Sequence, residues 1–139
     1  MSPDEPFREL DRDECRELLK QGELGRLATA VGGEPDIFPV NYYSDGQSIL
    51  LRTAPGTKLL ELTVHDVVAF ETDGFTVDEA WSVVVHGRAR ELERQQEIAD
   101  AERAPLRPWI PTLKYRWVHI DIERLSGRRF LRLAEPDRW

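Results

Sequence analysis

The sequence is short of cysteine, of long apolar runs and of positive charge, and each shortage removes a class of protein. Cys15 is the sole cysteine, so no disulfide can form within the chain. It stands beside Leu18 and Leu19 in a helical pattern, which makes a buried thiol its expected state. No stretch approaches the roughly 18 apolar residues of a membrane-crossing helix. The opening "MSPDEPFREL" has neither a cationic start nor an apolar run, so no secretory signal is expected and a cytoplasmic location is. Lys and Arg number 19 against 26 Asp and Glu, a formal charge of −7. That argues against sequence-independent nucleic-acid binding, which needs a basic face, though it leaves room for a local basic pocket. His65, His86 and His119 share no ligand spacing with one another or with Cys15. No metal site is expected, and His86 and His119 are read as pointing outward from strands. Ser44, Ser48, Ser82 and Ser126 lie outside any nucleophile elbow, and the carboxylates are scattered over turns and helix faces.

What is present is a β-rich pattern. A chain of 139 residues is the size of one domain, here taken as 1–139, and four tryptophans promise a well-filled interior. Residues 1–10 read as a polar N-terminal arm. "DRDECRELLKQG", residues 11–22, reads as a helix, with Asp11 as cap, Glu14 three residues on, and Gly22 ending it in the left-handed conformation. From Leu24 the apolar period changes to two. "LGRLATAV", "DIFPVNYY", "SILLRTA", "DVVAFETD" and "AWSVVVHGRAREL" read as strands. In the last of these His86, Arg88 and Arg90 alternate with Val85, Gly87 and Ala89. "SDGQ" is a hairpin turn in which Asp45 and Gly46 suit positive φ. "KLLELTV" and "RQQEIADAER" read as short helices. "KYRWVHIDIERL" and "RRFLRL" read as two final strands around a turn at "SGR". The sum is a mainly β protein, an antiparallel split β-barrel of six to seven strands with short flanking helices.

One loop stands apart. "RTAPGTK", Arg52 to Lys58, closes a strand and opens a helix with two cations, two hydroxyls and a glycine. Free amides at a helix start, a hydroxyl and a lysine together suit a phosphate or another anion. The spacing is not that of a P-loop, and a capped helix with a solvated Lys58 is the plain alternative. Nearby lie a strand interrupted by Pro39, which implies an edge, a bulge or a ligand at that point, and a strand opening with Trp81 and Ser82.

In order, "GRLAT", the strand with a central proline, "RT…G.K" and "WSVVVHG" resemble the pyridoxamine 5'-phosphate oxidase-like flavin-binding split-barrel superfamily, over residues 23–93. The branch it resembles is that of nitroimidazole reductases and flavin or deazaflavin oxidoreductases. The resemblance implies a homodimer with two flavin sites at the subunit interface. It implies that Phe38, Pro39, Val40 and Asn41 face the isoalloxazine ring and give it backbone hydrogen bonds. It places Arg52 and Thr53 beside the flavin, Lys58 with Thr57 at the phosphate, and Trp81 and Ser82 at the ring or ribityl chain. Trp109 or Arg129 is the expected contribution of the partner chain. The family's vitamin-forming oxidases carry an arginine where this chain has Thr57, so vitamin B6 oxidation is not expected.

Two functions follow as expectations. The first is an FMN-dependent oxidoreductase acting on a small molecule, with no assigned catalytic side chain because the cofactor carries the chemistry; the deazaflavin coenzyme is the alternative cofactor. The second is a flavin carrier, a sensor or a heme-binding relative on the same barrel.

Overall fold

The computed structural model describes residues 7–109 and 115–132, without the side chains of Thr57, Lys58, Leu60 and Thr63. The chain opens with strand β1, Phe7–Glu9, so part of the expected arm is ordered sheet. Helix α1, Arg12–Gln21, follows. Its start matches the sequence reading: Glu14 N donates to Asp11 Oδ1 at 2.8 Å, and Asp11 N donates back to Glu14 Oε1 at 3.3 Å. Its apolar stripe of Cys15, Leu18 and Leu19 is buried.

Gly22 differs from expectation. Its φ of −82° and ψ of 160° are extended, not left-handed. Glycine is needed there for room instead, since a Cβ would stand 2.1 Å from the Tyr42 hydroxyl. The hairpin turn also differs in detail: Gly46 takes the positive φ of 91°, and among the described residues every positive φ belongs to glycine. Asp45 serves the turn through its side chain, its Oδ1 accepting from Gln47 N at 2.8 Å and Ser48 N at 3.1 Å.

The remaining strands are β2 Leu24–Val31, β3 Glu34–Ser44, β4 Ser48–Thr53, β5 Val67–Phe75, β6 Glu79–Glu91 and β7 Arg116–Leu131. Helices α2 Thr57–Val64 and α3 Gln95–Glu102 lie between them. The strands run antiparallel in the order β7-β4-β3-β2-β5-β6, and β6 pairs back onto β7 to close a barrel. β1 adds to the outside edge of β7. The fold is thus the mainly β split barrel expected, with its strands divided differently.

"SGR" makes no turn. β7 runs unbroken through it, paired with β6 from Val118 to Leu131. Gly127 is there because α1 plugs the barrel end: a Cβ on it would lie 2.8 Å from Cys15 Sγ and 3.0 Å from Ser82 O. The strand bends by a bulge instead, because Gly87 pairs with Ile122 and His86 with Arg124, skipping Glu123.

Inward residues of every barrel strand fill one core. Phe70, Leu27, Ile49, Leu51, Val83, Val85, Val118 and Ile120 are all but fully buried. Phe70 packs edge-on to Tyr42 with ring centroids 4.8 Å apart. Burying each such side chain contributes about 1.5–3 kcal/mol. The alternation read in β6 holds, with Val85, Gly87 and Ala89 inside and His86, Arg88 and Arg90 exposed. His119 also lies on the outer face, alternating with buried Val118 and Ile120, but it is partly covered: its side chain is 23% exposed, with Asp121 Oδ1 3.4 Å from its Nδ1. A second, smaller apolar cluster outside the barrel joins Trp117 to Leu92 and Ala101, packed with Leu106 and Tyr115. Among the described residues no helix is long and apolar enough to cross a membrane.

Candidate functional site

The hairpin of β3 and β4 stays zipped only from Tyr42–Leu51 to Ser44–Ile49. Beyond Tyr42 the strands part. β4 continues against β7, pairing Arg52 with Trp117 and Thr53 with Arg116. β3 continues against β2 alone, pairing Asn41 with Leu24 and Pro39 with Arg26. This parting is the split in the barrel.

The split leaves a backbone edge whose polarity can be worked out. Tyr42 N donates to Glu23 O at 3.0 Å, so Tyr42 turns its backbone groups toward β2. In an antiparallel ladder that orientation alternates. Val40 and Phe38 therefore also face β2, while Asn41 and Pro39 face the open side. The missing N–H of Pro39 costs the β2 ladder nothing, which explains a proline inside a long strand. The edge offers the carbonyls of Pro39 and Asn41 and the amide of Asn41 to whatever enters.

A cleft of ≈430 Å³ lies along this edge. Pro39, Val40 and Asn41 form one wall, Arg52, Thr53 and Ala54 the opposite wall, and Leu106, Pro108 and Trp109 the roof. Asn41 pins the roof, its Oδ1 accepting from Trp109 N at 2.8 Å while its Nδ2 donates to Glu23 O at 3.2 Å. The volume falls in the range of about 300–1,000 Å³ usual for small-molecule sites.

Arg52 gives the cleft its charge. Its guanidinium carbon lies 4.0 Å over the centre of the Tyr115 ring and 5.8 Å from that of Trp117. Its Nε is buried with no hydrogen-bond partner. Glu102 of α3 holds the supporting rings, accepting from Tyr115 Oη at 3.0 Å and from Trp117 Nε1 at 3.1 Å.

Helix α2 opens after Gly56 with no side-chain cap and no acid in its first turn, and the positive end of its dipole suits an anion. The side chains of Thr57 and Lys58, expected at a phosphate, lie outside the described residues. Glu61 ties the helix to the barrel by accepting from Thr29 Oγ1 at 2.9 Å. A hydrogen bond with Asp36 pushes the Glu61 carboxyl above the usual carboxylate range, against the lowering effect of Thr29.

The structure thus brings Pro39, Val40, Asn41, Arg52, Thr53 and Trp109 around one cleft. It does not bring Trp81, Ser82 or Arg129 there. Phe38 packs against the core. Trp81 pairs with Gly74 and Arg129, and Ser82 with Asp73 and Arg128. Ser82 on β6 is three strand spacings from β3, about 14 Å at 4.7–4.9 Å each. Arg129 donates to Glu79 Oε2 at 2.7 Å and lies 5.5 Å over the Trp81 ring, so its charge is already paired.

Sequence reasoning missed Tyr115, Glu102, Leu106 and Pro108, whose roles depend on how α3 and the crossing segment fold over the barrel. "KYRW" carried the one signal, two aromatics flanking a cation where the last strand begins. A larger hollow of ≈680 Å³ between α2, α3 and the end of β6 is walled by Asp66, Arg90, Glu91, Glu93, Arg94 and Glu97. Charge pairing within it, such as Arg90 with Glu97 at 3.1 Å, makes it less apt for an anion than the cleft at Arg52.

Comparison with known proteins follows the same lines. A family described as pyridoxamine 5'-phosphate oxidase matches residues 11–129. An uncharacterized protein of Mycobacterium tuberculosis is 43% identical over 93 residues, 67% of this chain and 84% of its own length. A structure from Corynebacterium glutamicum, described as a candidate pyridoxamine 5'-phosphate oxidase, superposes with a TM-score of 0.84 at 41% identity, over 91% of this chain and 99% of that one. An FAD binding protein of Mycobacterium smegmatis superposes with a TM-score of 0.78 at 39% identity, over 89% of this chain and 98% of that one.

Proposed function

Because the chain belongs to the pyridoxamine 5'-phosphate oxidase family, we propose that its cleft binds a flavin and that the protein is a flavin-dependent oxidoreductase acting on a small molecule. The observation that carries the reading is the split itself. A flat, polar-edged ring fits between two parted strands, one offering the Pro39 carbonyl and the Asn41 amide and carbonyl, the other Arg52 and Thr53. Those residues fit the group in kind. A ring edge that alternates donors and acceptors matches a free strand edge, and aromatic and proline side chains cover its faces. The start of α2 follows within one short loop and suits the phosphate, with Lys58 and Thr57 as partners.

FMN, with its single phosphate, is the cofactor proposed; the FAD of the Mycobacterium smegmatis relative and the deazaflavin coenzyme are the other ligands to test. When bound, the cofactor supplies hydride or electron transfer. The chain binds and orients it, with Trp109 and Pro108 shielding the cleft from water. Heme fits less well, since none of His65, His86 or His119 lines the cleft.

We propose further that two copies associate. Trp81, Ser82 and Arg129 lie away from the cleft of their own chain, beside exposed Phe7, Phe75 and Phe130. A partner chain presenting that surface would complete the site, which is the contribution the resemblance implies for Arg129.

The test is direct. The purified chain is incubated with FMN, FAD, the deazaflavin coenzyme or hemin, desalted, and read by absorption, fluorescence and mass spectrometry, with light scattering for the oligomer. Retained flavin and reduction of quinone or nitroaromatic acceptors are the expected results. Retained flavin without turnover of any acceptor would make the protein a carrier. A chain left colourless by every flavin, or coloured by hemin alone, removes the reading.

A further inference from the structure

We propose that Arg52 stabilises negative charge on the bound flavin ring, and so sets its reduction potential, instead of serving as a second grip on the phosphate; the inference rests on the flavin reading of the cleft. Three observations carry it. First, Arg52 occupies the ladder position facing Asn41, one step past the last β3–β4 pair, Tyr42 with Leu51. A ring hydrogen-bonded to the free edge at Asn41 therefore meets Arg52 across the split, whereas the amides of α2 lie beyond the loop of residues 54–56. Second, the guanidinium is fixed. It lies 4.0 Å over Tyr115, and Tyr115 is itself anchored to Glu102. Third, its charge is uncompensated. Among the described residues no carboxylate comes within ion-pair distance of it, and its Nε is buried without a hydrogen-bond partner. The nearby acid, Glu102, spends its oxygens on Tyr115 and Trp117. A half-buried cation with no counter-charge favours a ligand that brings one.

The reduced ring brings it. Two electrons from a reductant and one proton from water, added to the oxidised ring, leave a single negative charge shared over the N1–C2=O edge. A fixed cation beside that edge favours the reduced form over the neutral oxidised one, without moving when the charge arrives.

The experiment measures the midpoint potential of the FMN-loaded chain at neutral pH by equilibration with a reference dye, xanthine and xanthine oxidase supplying the electrons. Arg52→Gln is expected to lower the ratio of affinities for reduced and oxidised FMN at least tenfold, about 30 mV for a two-electron couple. Arg52→Lys keeps the charge and is expected to retain most of the potential. Sulfite provides a second measurement on the native chain. Its electron pair forms a bond to ring N5 and leaves negative charge on the N1–C2=O edge, so a reversible loss of the flavin's visible band is expected. An unchanged potential in FMN-loaded Arg52→Gln overturns the proposal, as does an equal fall in Arg52→Lys or a native chain inert to saturating sulfite. So does an Arg52→Gln chain that loses oxidised FMN while the affinity ratio stays fixed, since that would mark a grip on the phosphate. A native chain that takes up no flavin fails earlier and differently, removing the cofactor reading as well.

Discussion

Gly22 and Tyr42 make a pair whose coupling can be worked out before it is measured. Tyr42 is 3% exposed and donates its hydroxyl to Leu19 O at 2.8 Å. Tyr42→Phe leaves that carbonyl without its donor, at a cost of about 1–3 kcal/mol. Gly22→Ala puts a Cβ 2.1 Å from the same hydroxyl oxygen. The ring must shift, costing about 1–3 kcal/mol for overpacking, and much of the Leu19 hydrogen bond goes with it. In the double variant the obstacle is gone. Alanine is unstrained at a φ of −82° and ψ of 160°, and it reduces the freedom of the unfolded chain, which is worth about 0.4–1 kcal/mol. Two neighbours, Tyr42 Cζ and Thr72 Oγ1, at 3.1 Å from that Cβ, must give slightly. Gly22→Ala should thus be clearly destabilising in the native background and close to neutral in Tyr42→Phe. The expected coupling is at least about 2 kcal/mol, well outside the about 0.3–0.5 kcal/mol scatter of independent sites. Urea unfolding of the four chains, with equal m-values, provides the measurement. Costs that simply add would refute the packing argument.

Three further outcomes are expected. Lys58→Ala should weaken FMN binding by about 1.5–3 kcal/mol, the contribution of a hydrogen bond to a charged group; an unchanged dissociation constant in a fluorescence titration would remove the phosphate assignment. Hydrogen bonding from Arg8, and then from the Asp11 backbone, holds Glu14 down from 4.5 to about 2. Its folded value is depressed, so its contribution is present above about pH 4.5 and is lost as pH falls toward 2. Glu14→Gln should flatten the acid branch of a denaturation series in that window, and an identical branch would contradict the bidentate contact. Asn41→Ala removes the acceptor of the Trp109 amide; loss of a bond worth about 1 kcal/mol should speed hydrogen exchange at that amide several-fold, and unchanged exchange would mean the roof is held elsewhere.

Much of the barrel was legible because alternation is local. In β6 the pattern of Val85, Gly87 and Ala89 against His86, Arg88 and Arg90 fixed both the strand and its inner face, and Asp11 with Glu14 marked the start of α1. Glycine was where local reading failed. Gly22 and Gly127 look like a helix stop and a turn, yet each makes way for a distant atom, the Tyr42 hydroxyl in one case and Cys15 Sγ in the other. A sequence shows that a side chain is missing, not which neighbour takes its space. The cleft divides the same way. Pro39 signalled an interrupted edge, but its orientation follows only from register, through the bond from Tyr42 N to Glu23 O. Nothing local foretold that Tyr115 would bear the Arg52 guanidinium, since the two are neighbours only once β4 has paired with β7.

The length of β7 has a consequence for biosynthesis. This strand follows the other described strands in sequence, yet it joins β6 to β4 and receives β1 as well. During translation, at about 5–20 residues per second, β2 through β6 emerge seconds before the piece that seals them. Throughout that interval β4 and β6 present open rims that invite pairing with another nascent copy. Chaperone demand should therefore peak just before β7 leaves the ribosome, and ribosomes stalled short of Arg116 should yield aggregates, not a smaller folded product.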